Sequence, residues 1–322
     1  MKKWISSLLA VCIFTAAMAG CGGNATNSDN NANAGASVNG GTFKIGYANS
    51  GDSDVFDKLK KDTFSELATP DSTIEVKYAE ANMDQQKQLD QIDNFIMEEV
   101  DLIIIVPIDF SGVTPGVKAA NAAGIPAICL GIESEGGDSI FVGCQNRDAG
   151  VMQAEFMAEN LPENAKVLYL SGTPGLYHSV ERHDGFYETM AQKRPDVQML
   201  AEMTGEYTRD KAMKVMEDWC QTYDQFDAVV CANDQMALGA VEALKAANRL
   251  EGVQVAGIDA TTDALNKIKS GEMAISIRQS APALAQNCLD TAKKLQAGET
   301  VGNRVIVEFE PITAANVDEF LS

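Results

Sequence analysis

The chain has 322 residues, 45% of them apolar and 22% charged, enough for about two packed domains and unlike a disordered acidic polypeptide. Its 46 acidic against 25 basic residues give a formal charge of −21, which excludes a protein that tracks nucleic-acid phosphates through a basic face. Only two histidines occur, His178 and His183, too few for a multi-histidine metal enzyme, so no metal site is expected.

The N-terminus reads as an export signal. Lys2 and Lys3 precede an apolar stretch from Ile5 to Ala17, the length of a secretory core and shorter than the ~20 residues of a membrane span. It ends in Met18-Ala19-Gly20-Cys21, which resembles the bacterial lipoprotein signal. That resemblance implies removal of residues 1–20 and lipidation of Cys21 at the extracytoplasmic face of the cell membrane, with no other membrane contact. Residues 22–42 hold six Asn, five Gly and four Ala and a single charge, so 21–42 reads as a flexible tether. Beyond Cys21, five cysteines remain: Cys129, Cys144, Cys220, Cys231 and Cys288. An odd number without a C-x-x-C spacing argues against a disulfide framework or a zinc site. Cys129 and Cys231 read as buried free thiols, while spacing leaves a Cys129–Cys144 bridge open.

From residue 43, strands and helices alternate. Phe43–Asn49 reads as a strand, Val55–Leu67 as a helix and Ile74–Ala79 as a strand. Asp84 opens a helix with Leu89, Ile92, Ile96 and Val100 at helical spacing. Leu102-Ile103-Ile104-Ile105-Val106 is apolar without alternation, as in a parallel strand covered on both faces. Val113–Ala123 and Ala127–Leu130 add a helix and a strand. A second series runs Lys166–Leu170, Val180–Gln192, Val197–Thr204, Lys211–Cys220, Ala228–Ala232, Met236–Ala247, Val253–Ile258, Leu265–Lys269 and Met273–Ile277. The pattern predicts an α/β protein with two doubly wound parallel-sheet lobes divided near Gln145.

In open parallel sheets, ligands sit beyond the carboxyl ends of the strands. Polar residues at such tips are Asn49 through Asp54, Asp109, Asn233-Asp234, Asp259 and Arg278-Gln279. Asp and Ser at a helix start also cap backbone N–H groups. Asp234 is read as such a cap, because Gln235-Met236-Ala237 opens a helical pattern. Asn233 and Asp259, at the strand tips, are read as ligand contacts.

Ala232 through Ala240 resembles the signature of type I solute-binding proteins of the ribose and galactose group, and Val255-Ala256-Gly257-Ile258-Asp259 the strand that follows it. Ile45-Gly46, Gly124-Ile125-Pro126 and Arg182-His183-Asp184-Gly185-Phe186 match the same family in order, so the resemblance spans roughly 43–309. It implies a periplasmic-binding-protein-like fold with a three-stranded hinge near 144–145, 277–280 and 308–310. The lobes become 43–144 with 280–308, and 145–279 with 309–322. It further implies a monomeric receptor, without a cofactor, that closes on a small polar ligand such as a sugar or polyol and docks on an ABC permease. The fold also serves bacterial repressors, but a secretion signal stands where their DNA-binding helices would be.

Carried over by position, the family's site residues become Phe56 with Asp54 beside it, Tyr207, Asn233, Asp259 and Gln279. This chain departs from the family at Gly131-Ile132-Glu133, where an Asp-Arg pair is usual, and at Val180, where a sugar-binding Arg is usual. Arg182 matches the family's structural arginine. Loss of two guanidinium forks points away from the ribose or galactose binding mode. Glu133, His178 and Tyr177 are the candidate replacements. With Asp54, Asp109 and Asp259 the site reads as acid-rich, suited to a neutral, hydroxyl-rich or cationic ligand.

As an enzyme, the chain lacks a Gly-x-Ser-x-Gly elbow, a phosphate loop and a His-Glu-x-x-His motif. Two further readings stay open: a ligand sensor for a membrane signalling partner, and a binder of a non-sugar ligand such as a nucleoside.

Overall fold

The computed structural model describes residues 41–321. The expected signal peptide, Cys21 and all but the last two residues of the expected tether lie outside the described residues. In chain order, β1 (Phe43–Asn49), α1 (Val55–Ala68), β2 (Ile74–Glu80), α2 (Gln85–Met97), β3 (Leu102–Ile105), α3 (Thr114–Ala122), β4 (Ala127–Leu130) and β5 (Ile140–Gly143) form the first series. The second comprises α4 (Asn146–Asn160), β6 (Lys166–Ser171), α5 (Tyr177–Lys193), β7 (Gln198–Thr204), α6 (Arg209–Thr222), β8 (Ala228–Cys231), α7 (Asp234–Ala246), β9 (Gln254–Ile258), α8 (Thr262–Lys269) and β10 (Ile275–Arg278). Then come α9 (Ala281–Gln296), β11 (Arg304–Ile306) and β12 (Glu310–Thr313).

The strands make two six-stranded sheets, ordered β11-β5-β4-β3-β1-β2 and β12-β10-β9-β8-β6-β7. The sequence predicts parallel sheets throughout; the one departure is β12, which runs antiparallel to β10 at an edge. A strand arriving from the opposite sheet through a three-residue link has no room for a crossover helix, so it pairs as an antiparallel edge. The chain passes between sheets at 143–146, 278–281 and 306–310.

Both sheets are covered on both faces, so their central strands are apolar without alternation: every residue of β3, β4 and β8 is buried. Order reverses at β1 in one sheet and at β6 in the other, and each reversal leaves a crevice beyond the strand ends. The buried stripe of α4 is made largely of polar and small residues, Asn146, Ala149, Gly150, Gln153 and Ala154, with Met157. Its amphipathic signal is correspondingly faint, and the sequence reading assigns no element there. It meets α5 through two glycines: a Cβ on Gly150 would stand 2.0 Å from the Arg182 carbonyl oxygen, and one on Gly185 would stand 2.2 Å from that of Arg147. This contact sets the position of Arg182.

All five cysteines of the described residues are free thiols, which closes the Cys129–Cys144 question in favour of no bridge. Among the described residues, no helix is long and apolar enough to cross a membrane.

Candidate functional site

A cavity of about 400 Å³ lies where the strand ends of the two sheets face each other. From the first sheet come the β1–α1 turn (Ser53 to Asp57) with Lys60, the segment Val106-Pro107-Ile108 after β3, and Gly131-Ile132 after β4. From the second come His178 and Arg182 on α5, Tyr207 after β7, Asn233 after β8, Asp259 after β9 and Gln279 after β10.

Asp54 is the N-cap of α1. Its Oδ1 accepts from the backbone N–H groups of Phe56 and Asp57, both at 2.9 Å. Burial and the neighbouring Asp57 carboxylate push the Asp54 carboxyl up to about 6. Phe56 is buried and lines the wall.

Asp259 follows β9 at φ +116°, and Ala260 follows at φ +53°, a backbone that L-residues enter only under constraint. The Asp259 N–H donating to Ile277 O (2.8 Å) and the Ala260 N–H donating to Ser276 Oγ (2.9 Å) hold the turn. The Asp259 carboxylate has no hydrogen-bond partner among the described residues. Burial raises its pKa well above the usual carboxylate range, Arg182 opposes that rise, and Asp234 and Asp54 add to it. Tyr207 also sits at positive φ, +60°, and its hydroxyl pairs with Ser179 Oγ at 2.8 Å. The His178 ring lies against it, centroids 5.0 Å apart. Burial, with the positive charge of Arg182, pushes the His178 imidazole down to about 3, so the ring is neutral. Its Nδ1 is buried without a partner.

The sequence reading is corrected at several residues. Asp109 does not line the cavity: its Oδ1 accepts from the N–H groups of Ser111 (3.0 Å) and Gly112 (2.7 Å), closing its own turn. Glu133 does not line it either; Oε2 accepts from Arg304 Nη1 at 2.6 Å. Tyr177 stacks on Phe110 instead of entering the cavity. The helix cap on α7 is Asn233, whose Oδ1 accepts from the Met236 N–H at 3.0 Å while the residue still lines the cavity. Asp234 is buried behind it, taking the Ser276 hydroxyl (2.6 Å) and the Thr261 N–H (2.7 Å).

Three cations at the cavity were not expected there: Lys60, Arg182 and Arg209. Arg182 donates from Nε to Asn146 Oδ1 (3.0 Å) and from Nη1 to Ala232 O (2.7 Å), which leaves Nη2 without a partner among the described residues. Lys60 is buried, its Nζ 2.7 Å from Asp57 Oδ1. The signal for it lay in the α1 stripe Phe56, Lys60, Phe64 and Ala68, where a lysine interrupts an apolar face. With Arg209 these cations stand against four carboxylates in the lining, Asp54, Asp57, Glu206 and Asp259, so they offset most of the acidity expected of the site.

The family described as periplasmic binding protein domain matches residues 45–300. Among curated relatives, the xylitol-binding protein of Mycolicibacterium smegmatis (strain ATCC 700084 / mc(2)155) is 34% identical over 77% of this chain and 71% of its own. The ribose import binding protein of Bacillus subtilis (strain 168) is 31% identical over 71% and 73%. Among solved structures, an ABC transporter solute-binding protein from Bacillus halodurans C-125 with bound myo-inositol superposes with a TM-score of 0.83 at 30% identity, covering 88% of this chain and 98% of that one. With the paired sheets and the cavity at their facing strand ends, these matches mean that the chain belongs to the periplasmic binding protein family.

Proposed function

We propose that the protein is an extracytoplasmic receptor that captures a neutral polyol or sugar between its lobes and delivers it to an ABC importer. The observation that carries this reading is the mixed, incompletely partnered lining of the cavity. Among the described residues, the Asp259 carboxylate, His178 Nδ1 and Arg182 Nη2 have no hydrogen-bond partner, and all three residues line one cavity. Hydroxyl groups both donate and accept, so a polyol satisfies acceptors such as Asp259 and donors such as Arg182 together. The Phe56 and Tyr207 rings offer apolar surface for C–H faces. Three cations against four carboxylates in the lining leave little net charge, which favours a neutral ligand over an ionic one. Relatives that bind xylitol, ribose and myo-inositol support the same ligand class.

In this reading the lobes are 43–144 with 280–308 and 145–279 with 309–322, and they close because the ligand contacts both. The ligand-binding set is Asp54, Phe56, His178, Tyr207, Asn233, Asp259 and Gln279. The chain acts as a monomer held at the membrane through a lipid on Cys21, and its site binds and releases without bond chemistry.

The test is a thermal-shift panel of polyols, pentoses, hexoses and nucleosides on the purified protein, with mass spectrometry of any co-purified small molecule. A polyol or sugar that raises the melting temperature in a saturable manner supports the reading. An unmoved melting temperature across sugars and polyols, or a shift by nucleosides alone, contradicts it.

A further inference from the structure

The first lobe carries a buried ammonium group that the ligand set above does not use. Lys60 lies in the apolar stripe of α1, its side chain 4% exposed. A lysine in such a place keeps its charge only if something compensates for lost water. Asp57 does part of this, with Oδ1 2.7 Å from Nζ, while its other oxygen takes the Ser50 hydroxyl. An ammonium has three donors, and Asp57 is the only acceptor it meets among the described residues.

The space around Nζ is made by a missing side chain. A Cβ on Gly131 would stand 2.6 Å from Nζ, closer than a non-bonded contact tolerates, and the backbone there has φ +91°. Gly131 and Lys60 both line the cavity. A larger residue at 131 would occupy the position of Nζ, so the two sites are complementary.

We infer that Lys60, admitted by the absent side chain at Gly131, donates to ligand hydroxyl oxygens from the first lobe and sets which polyols the cavity accepts. This rests on the polyol-binding reading and adds a residue and a selectivity to it. The ammonium is a donor only, so it recognises an oxygen-bearing edge of the ligand presented to the β1–α1 side. Vicinal hydroxyls that both present lone pairs there satisfy the two donors not facing Asp57. A ligand lacking an oxygen at that edge leaves a buried cation underpartnered and is discriminated against.

The experiment is calorimetric titration of the full exported chain and its Lys60→Met and Lys60→Gln variants with myo-inositol, xylitol and ribose. Lys60→Met is expected to weaken the tightest-bound probe at least tenfold. Lys60→Gln keeps a neutral donor of similar reach, and is expected to bind in between and to change the affinity ratio between the two best probes at least fivefold. A purely structural role would lower all three affinities together and leave that ratio alone. If Lys60→Met does not fold, the Lys60→Gln ratio decides. Affinities within twofold of the unaltered protein, or an unchanged ratio, overturn the inference. Failure of the unaltered protein to bind any probe overturns the polyol reading itself, and this inference with it.

Discussion

Phe110 and Tyr177 stack on each other, ring centroids 4.6 Å apart and planes 15° from parallel. Phe110 follows β3 of the first sheet, and Tyr177 opens α5, which packs with the second. Neither ring lines the cavity. The pair therefore joins the lobes without touching the ligand, and a parting of the lobes would break it. Such a pair contributes about 0.5–1.5 kcal/mol beyond its buried area. Tyr177→Ala is expected to weaken every ligand by about two- to tenfold while preserving their ranking, by making the closed form less favourable. Calorimetric titration with several polyols checks this; a changed ranking would mean that Tyr177 reaches the ligand.

Asp54 gives the fold a pH dependence of defined sign. Its folded-state pKa, about 6, lies above the ordinary value of 3.8, so the folded protein holds this proton more tightly than the unfolded chain. The resulting destabilisation is absent below about pH 4, grows as pH rises, and is complete above about pH 6. Asn in its place retains an acceptor for the Phe56 and Asp57 N–H groups and removes the charge. Asp54→Asn should therefore melt like the unaltered protein at pH 3.5 and above it at pH 7, both without ligand. A difference that shrinks with rising pH would contradict this.

The crossing of α4 and α5 admits no side chain at Gly150. The atom that a Cβ would meet, 2.0 Å away, is the backbone oxygen of Arg182, which cannot swing aside. Gly150→Ala is expected to cost about 3 kcal/mol, the upper end of overpacking penalties, in urea unfolding. It should also weaken ligand binding, because Arg182 moves with its helix. A loss below about 1 kcal/mol would mean that the helices separate freely.

Much of the fold is legible in the sequence because its signals are local. Leu102–Ile105 is apolar at every position because both faces of β3 are covered, and the Ala232–Ala240 segment carries the β8–α7 junction. Part of the site is legible too: Asp259 stands at a strand tip, and Phe56, His178 and Tyr207, named through the family resemblance and its departures, line the same cavity. Asp109 and Glu133 look equally exposed in sequence, yet one closes its own turn and the other pairs with Arg304, 171 positions away. Lys60 differs: its ion-pair partner Asp57 is on its own helix, and what the sequence hides is the room for Nζ, left by Gly131 in another loop. The helix α4 was hidden because its buried stripe holds Asn146, Gly150 and Gln153, so the face that packs carries little apolar periodicity.

The central claim is that the facing strand ends form a polyol site centred on Asp259. Its carboxylate carries no protein hydrogen bond among the described residues, so its removal should cost the unliganded fold almost nothing. Loss of one or two hydrogen bonds to a charged group, at about 1.5–3 kcal/mol each, should weaken binding at least about tenfold. The most direct measurement is calorimetric titration of the unaltered protein and Asp259→Ala with the polyol or sugar that gives the largest thermal shift. The account predicts one-to-one binding to the unaltered protein and binding at least about tenfold weaker to Asp259→Ala, with the two unliganded melting temperatures close together. Equal affinities in a folded Asp259→Ala would contradict it.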